Sequence, residues 1–94
     1  MEITKSLDNE TLTFTLVGRL DTTTAPEFDR EIKRVEVPNV VLDFSNLDYI
    51  SSSGLRCILT LYKSTKSLVI MHPNDTIYEV LDMTGFIDFI DCVR

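Results

Sequence analysis

The chain has 94 residues, with fifteen acidic side chains against nine basic ones and a formal net charge of −6. This length suffices for one domain with a modest core, which we expect to fill residues 1–94. The hydrophobic fraction of 44% is ordinary for a folded protein and disfavours wholesale disorder. Because there is no basic stripe, neither nucleic acid nor an anionic membrane surface is expected as a partner.

The sequence also lacks the marks of membrane insertion and secretion. No apolar run approaches the ~20 residues that a transmembrane helix needs. The first ten residues contain no positive region followed by an apolar core, so no signal peptide is predicted. We therefore expect a cytoplasmic protein in which Cys57 and Cys92 are reduced thiols.

A β-hairpin is predicted at the beginning of the chain. Alternating apolar and polar residues at 3–7 indicate a first strand, and residues 8–10, Asp-Asn-Glu, supply the turn. Over residues 11–16, threonine alternates with leucine and phenylalanine, which is typical of a strand with one face on the core. Gly18 is expected to end this second strand.

The next segment has the features of an amphipathic helix. Thr24 and Glu27 form a capping-box pattern, in which each side chain can bond to the other's backbone amide. Pro26 lies in the first turn, where its missing N–H costs nothing. Apolar residues at helical spacing predict the buried stripe: Phe28, Ile32 and Val35.

The central segment, residues 40–62, changes from strand to helix periodicity. Residues 40–42 are three consecutive aliphatic residues, as in a strand buried on both faces. Three serines at 51–53 precede Gly54, which we assign to turn geometry. Apolar residues then follow at i, i+3, i+4 and i+7 of a helix: Leu55, Ile58, Leu59 and Tyr62. The serines are therefore expected at the first turn of this helix.

A serine at a helix start has two physical uses. Its hydroxyl can cap a free backbone amide, an interaction typically worth ~1 kcal/mol. The same free amides and the positive end of the helix dipole also accommodate a phosphate of charge about −2. One cap requires one serine, so the other two are candidates for a second use.

The remainder of the chain predicts one strand, one helix and a closing segment. Residues 68–71 read as a short buried strand, and Thr76 and Glu79 form a second capping-box pattern before a third helix. Gly85 suits the left-handed conformation of a helix C-cap. Residues 86–90 are expected to form a last short strand or an apolar closing segment.

This order of elements predicts a mixed α/β fold. We expect a central sheet of about four to five strands, with an N-terminal hairpin and about three covering helices. In open α/β sheets, sites cluster at the carboxyl ends of the strands. Asp21, Ser52 and His72 each follow a predicted strand, so we expect all three at one end of the sheet.

Such a cluster raises the hypothesis of a small serine hydrolase, with His72 as the base for Ser52 and Asp21 or Asp48 as the third member. The nucleophile-elbow pattern Gly-x-Ser-x-Gly is absent, however, since the local sequence reads Ile-Ser-Ser-Ser-Gly. We therefore predict no enzymatic activity. No phosphate-binding loop, zinc spacing or EF-hand pattern is present either, so neither a cofactor nor a metal site is predicted.

Two stretches of the sequence resemble the STAS domain family, specifically its small bacterial anti-sigma-factor antagonists. The stretch LDFSNLDYISSSGLRCIL is similar to the family's buried strand, short apolar lead-in and (Asp/Ser)-Ser-(Ser/Ala)-Gly-Leu helix start. Residues 18–21, Gly-Arg-Leu-Asp, resemble the Gly-x-Leu-Asp stretch that follows the second strand. The resemblance implies a STAS-like fold and a regulatory phosphoserine at Ser52, with Ser51 and Ser53 as alternatives. Ser51 stands where the family often has aspartate.

The resemblance further implies a partner-switching cycle. The unphosphorylated protein would bind an anti-sigma factor that is also an ATP-dependent serine kinase, and a sigma factor would be released. Phosphorylation of Ser52 would break the complex, and a PP2C-type phosphatase would restore it. The residues expected to contact the partner are Asp21, Ser51, Ser52, Ser53 and Arg56.

One further alternative follows from the same resemblance. STAS-like single domains also serve as soluble subunits of lipid-transporting ABC complexes, where the same helix docks a partner without a phosphate switch. The two hypotheses separate on whether Ser52→Asp abolishes binding while Ser52→Ala preserves it.

Overall fold

The computed structural model describes residues 1–94 as a five-stranded sheet covered by three α-helices. The strands are β1 (Glu2–Asp8), β2 (Thr11–Leu20), β3 (Asn39–Ile50), β4 (Ser67–Met71) and β5 (Asp91–Val93). The helices are α1 (Ala25–Ile32), α2 (Ser52–Ser64) and α3 (Asp75–Met83), and a short 3-10 helix, Phe86–Asp88, follows α3. The predicted mixed α/β fold with an N-terminal hairpin is confirmed.

The sheet combines one antiparallel pair with a parallel series. β1 and β2 are antiparallel and are joined by the predicted turn, in which Asn9 has a φ of 56° that asparagine tolerates. From β2 to β5 each strand lies parallel to the next, in chain order. Each parallel connection passes through a helix, and the buried residues of all three helices join those of the sheet in one core, so the three helices lie on the same face, as right-handed crossovers between adjacent strands require.

The core lies between that face and the helices. In β2, β3 and β4 fully buried side chains alternate with half-exposed ones, so one face of the sheet is covered and the other is open. Phe14 of β2 meets Phe28 of α1 with ring centroids 5.6 Å apart and planes perpendicular. Such edge-to-face pairs add about 0.5–1.5 kcal/mol beyond the burial of their area.

Strands β2 and β3 extend further than predicted. Gly18 does not end β2; it adopts a φ of 107°, and register shifts occur at residues 15–17 and 18–19. Such irregularities let a bulged strand continue pairing, here as far as Leu20. β3 continues likewise to Ile50, because the lead-in before the serines pairs with the end of β2.

Neither predicted capping box forms. The Thr24 hydroxyl does not cap α1; it donates to the Arg19 carbonyl and accepts from the Asp21 N–H, both at 2.8 Å. α3 begins before Thr76, because Asn74 has an extended backbone and its side-chain oxygen accepts a first-turn N–H at 2.8 Å. Asn74 thus caps α3 with its side chain. Before α1, the Asp21 side chain accepts the N–H groups of Thr23 and Thr24, and the first helical N–H, that of Ala25, donates to the Asp21 backbone carbonyl at 2.8 Å.

The buried face of α2 is rotated by about one residue from the predicted stripe. Of that stripe only Ile58 is fully buried, and Tyr62 is 37% exposed. The residues that face the core are Gly54, Cys57, Ile58 and Leu61. Gly54 is therefore a helix residue rather than a turn residue. Since it has no side chain, it permits the close approach of α2 to the sheet that turns this row inward.

The end of the chain also differs in detail. Gly85 has the left-handed φ of 80° that was predicted for it. The following apolar residues form the 3-10 helix and then an irregular closing segment whose Ile90 is buried, so the last strand begins only at Asp91. α1 ends at Ile32, which leaves Val35 half-buried outside the helix.

Candidate functional site

The carboxyl ends of β2 and β3 lie side by side and support the candidate site. Leu20 pairs with Ile50 at the end of the two strands. The N–H of Ser51 then donates to the Leu20 carbonyl at 2.9 Å. Asp21, which follows Leu20, is therefore held beside the serines that follow Ile50.

Ser51 serves as the N-cap of α2. Its backbone is extended, with φ −98° and ψ 175°, and its Oγ accepts the Gly54 N–H at 3.3 Å. Its carbonyl also accepts the Leu55 N–H at 2.9 Å. The hydroxyl oxygen of this serine is thus already engaged in holding the start of the helix.

The other two serines differ in their surroundings. Ser52 is the first residue of α2 and is exposed, and none of the hydrogen bonds in the structure uses its hydroxyl. Ser53 is half-buried and faces the space between α1 and α2. Of the three predicted phosphorylation candidates, Ser52 has the hydroxyl that is most accessible to another protein.

Asp21 is a fixed negative charge next to this helix start. Its Oδ1 accepts the Thr23 hydroxyl at 2.7 Å, the Thr23 N–H at 3.0 Å and the Thr24 N–H at 3.2 Å. The hydrogen bond from the Thr23 hydroxyl is the largest influence on the pKa of Asp21, and together with the two N–H groups it outweighs burial and lowers that pKa. Asp21 is therefore ionised at neutral pH.

Arg19 and Tyr49 extend the surface beyond Asp21. The guanidinium Nε of Arg19 lies 3.6 Å from Asp21 Oδ2, and its central carbon lies 4.3 Å from the centre of the Tyr49 ring. Neither residue was predicted from the sequence as part of the site, and Tyr49 is 40% exposed. Strict strand alternation could not have placed Tyr49, because Asp48 and Tyr49 are both exposed between the buried Leu47 and Ile50.

A groove of about 330 Å³ runs between α1 and α2. Cys57 forms its floor, where its thiol donates to the Ala25 carbonyl at 3.6 Å and burial raises its pKa. Arg56 lies on the α2 side of the groove. The complete lining consists of Thr22, Ala25, Pro26, Asp29, Ser53, Arg56, Cys57 and Thr60. The groove thus joins the Asp21 loop to the helix that carries the serines.

His72 does not join this site, contrary to prediction. β4 pairs with β3 only as far as Met71 beside Asp43, and Ile50 is seven residues further along β3. That separation corresponds to roughly 20 Å of extended chain. The His72 N–H instead donates to the Val93 carbonyl at 2.6 Å. The arrangement therefore brings together Asp21 and Ser52, and it offers Ser52 no histidine base.

Three further structural facts bear on the sequence predictions. No group of three or more histidine, cysteine, aspartate or glutamate side chains is arranged to hold a metal ion. None of the helices has the length and apolar character that crossing a membrane requires. Cys57 and Cys92 are both free thiols.

Comparison with known proteins gives one family and several structural relatives. The family model described as STAS domain matches residues 2–94. The fold is similar to an anti-sigma factor antagonist from Mycobacterium paratuberculosis, with a TM-score of 0.91 and 17% identity over 99% of this chain and 85% of that one. It is also similar to the Bacillus cell fate determinant SpoIIAA in its phosphorylated form, with a TM-score of 0.77 and 18% identity over 99% and 92%.

The unphosphorylated form of the anti-sigma factor antagonist SpoIIAA is similar as well, with a TM-score of 0.73 and 18% identity over 99% of this chain and 88% of that one. At these identities the structural likeness shows a shared fold. No curated protein matches the sequence.

Proposed function

The chain belongs to the STAS domain family, and from this premise we propose that it is an anti-sigma-factor antagonist switched by phosphorylation of Ser52. Unphosphorylated, it binds an anti-sigma factor that is also a serine kinase, and the sigma factor is released. Phosphorylation breaks the complex, and a PP2C-type phosphatase restores it. The structural relatives named as anti-sigma factor antagonists, one of them determined in both phosphorylation states, support this proposal.

The observation that carries the proposal is the division of roles between Ser51 and Ser52. Ser51 caps α2, so the helix start is complete without the Ser52 hydroxyl. Ser52 is exposed and free of internal bonds, so a kinase can reach it without unfolding the helix. A phosphate there meets free N–H groups and the positive end of the helix dipole, which keep the phosphorylated chain folded.

The effect on the partner follows from charge. Phosphorylation adds a charge of about −2 to a surface where Asp21 is already ionised. A partner that binds to Asp21 and the Ser52 hydroxyl must then desolvate a dianion. The phosphate also repels any carboxylates on the partner's surface. We expect the contact surface to include Asp21, Ser51, Ser52, Ser53 and Arg56, together with Arg19 and Tyr49, which lie beside Asp21.

The proposal is tested by capturing partners from the lysate of the native host. The baits are the wild type, Ser52→Ala, Ser52→Asp and the control Ser67→Asp, which adds the same charge at the exposed start of β4, the opposite end of the sheet. We expect a kinase-like anti-sigma factor with the wild type, Ser52→Ala and Ser67→Asp, and its loss with Ser52→Asp. Equal capture of one membrane-transport ATPase by all four baits would contradict the switch and favour a constitutive transporter subunit.

A further inference from the structure

Arg56 is placed to interact with anything attached to Ser52. It follows Ser52 by four residues within α2, and side chains at this spacing lie on the same side of a helix with Cβ atoms about 5–6 Å apart. Helical side chains also lean toward the N-terminus of their helix. The exposed Arg56 guanidinium can therefore extend over the turn that carries Ser52 and Ser53.

Arg56 also has no anionic partner, although it lies close to charged residues at this end of the sheet. Arg19 is paired with Asp21, and Asp29, the carboxylate that faces Arg56 across the groove, is paired with Lys33 at 2.9 Å. No ion pair in the structure includes Arg56. Its charge is available to a new anion without breaking an existing contact.

The first turn of α2 also has no negative charge to interact with the helix dipole. Its first turn contains no acidic residue, unlike those of α1 and α3, which contain Glu27 and Asp75. A negative charge in this turn would be favoured by the helix dipole, whereas a cation such as Arg56 in the second turn gains nothing from it. The helix dipole and the positive charge of Arg56 therefore both favour a negative group at Ser52.

From this arrangement we propose that Arg56 is the internal counter-ion of phosphorylated Ser52. The inference rests on the proposed phosphorylation of that residue. When the phosphate is added, Arg56 turns from the groove between α1 and α2 and makes charge-assisted hydrogen bonds to the phosphate oxygens. The groove loses its unpaired cation at the same time. Phosphorylation thus changes the partner surface twice, by adding a dianion at Ser52 and by withdrawing Arg56 from the groove.

The test uses the full chain with phosphoserine incorporated at position 52 during synthesis. The second pKa of the phosphate is measured by phosphorus NMR titration; its ordinary value is about 6. The variants are Arg56→Gln, Arg56→Lys and the matched control Lys63→Gln, which removes the same charge from the same helix about 16 Å from Ser52. Proton NMR spectra verify that each variant is folded.

We expect Arg56→Gln to raise this pKa by about 0.7 unit, the effect of removing one charge at 4–5 Å in water. Arg56→Lys retains most of the lowered pKa, and Lys63→Gln leaves it unchanged. An unchanged or lower pKa in Arg56→Gln, or an equal rise in Lys63→Gln, would overturn the inference. Since the titration needs neither kinase nor anti-sigma factor, its outcome is separate from the capture experiment that tests the proposed function.

Discussion

At the scale of single residues, the three consecutive serines have three different environments. Ser51 has an engaged oxygen, Ser52 has a free and exposed hydroxyl, and Ser53 faces the groove. The difference arises from the helix geometry, because only the residue just before a helix has the extended backbone that brings its side chain back to the free amides. Residue type alone does not distinguish them.

This division predicts different effects on stability. Ser51→Ala should lower the free energy of unfolding by about 1 kcal/mol, since the Gly54 N–H loses its acceptor. Ser52→Ala should change it by less than about 0.5 kcal/mol, as expected for an exposed side chain without partners. Urea unfolding of both variants measures the difference. Equal losses in the two variants would mean that Ser52 shares the capping role.

At the scale of elements, the position of Ser52 depends on how α2 rests on the sheet. A Cβ added to Gly54 would lie 2.8 Å from Cγ of Leu20 and 2.9 Å from Cγ1 of Ile50. Real Cβ atoms do not approach other side chains this closely, so only glycine permits this contact. The last inward residues of β2 and β3 therefore determine where the first turn of α2 begins, and the exposed Ser52 is held on that turn.

We predict that Gly54→Ala destabilises the protein although alanine is the better helix former. Helix propensity alone would stabilise the variant by about 1 kcal/mol. Overpacking against Leu20 and Ile50 costs typically about 1–3 kcal/mol and should exceed that gain. Thermal or urea unfolding measures the sign, with Thr60→Ala as the control on the same helix because Thr60 is exposed. A more stable Gly54→Ala protein would show that α2 does not need this close approach.

At the scale of the whole molecule, unequal strand lengths decide which residues meet. β2 and β3 end together, so Asp21 and the serines are neighbours. β4 pairs with only the first five residues of β3, from Asn39 to Asp43, so His72 lies well short of Ser52. Asp21, the serines and His72 each follow a parallel strand, yet only neighbouring strands that end at the same level bring the residues that follow them together.

Replacement of His72 should therefore leave partner binding unchanged. We choose His72→Asn because this residue has a φ of 57°, which asparagine tolerates. The variant should capture the same partner in the same amount as the wild type, whereas Asp21→Asn should weaken the capture. Binding is measured with the lysate assay or with the purified partner. An equal loss in both variants would place His72 in the contact surface after all.

The sequence by itself determined the order of the elements, the hairpin turn at Asn9 and the left-handed Gly85, because each depends on local periodicity or on the conformational freedom of one residue. It also determined that Ser52 lies at the start of α2, since the change from strand to helix period is a local signal. This covers most of the fold and the centre of the candidate site.

Only the tertiary structure decided which face of α2 is buried, because that depends on the approach of Gly54 to Leu20 and Ile50, which come from two other elements. The sequence predicted Asp21, Ser52 and His72 at one end of the sheet, but tertiary structure alone kept His72 away from the other two, since that result depends on strand register and length. Packing between distant segments adds contacts that no local pattern encodes, and the neighbours of Ser52 are set by those contacts.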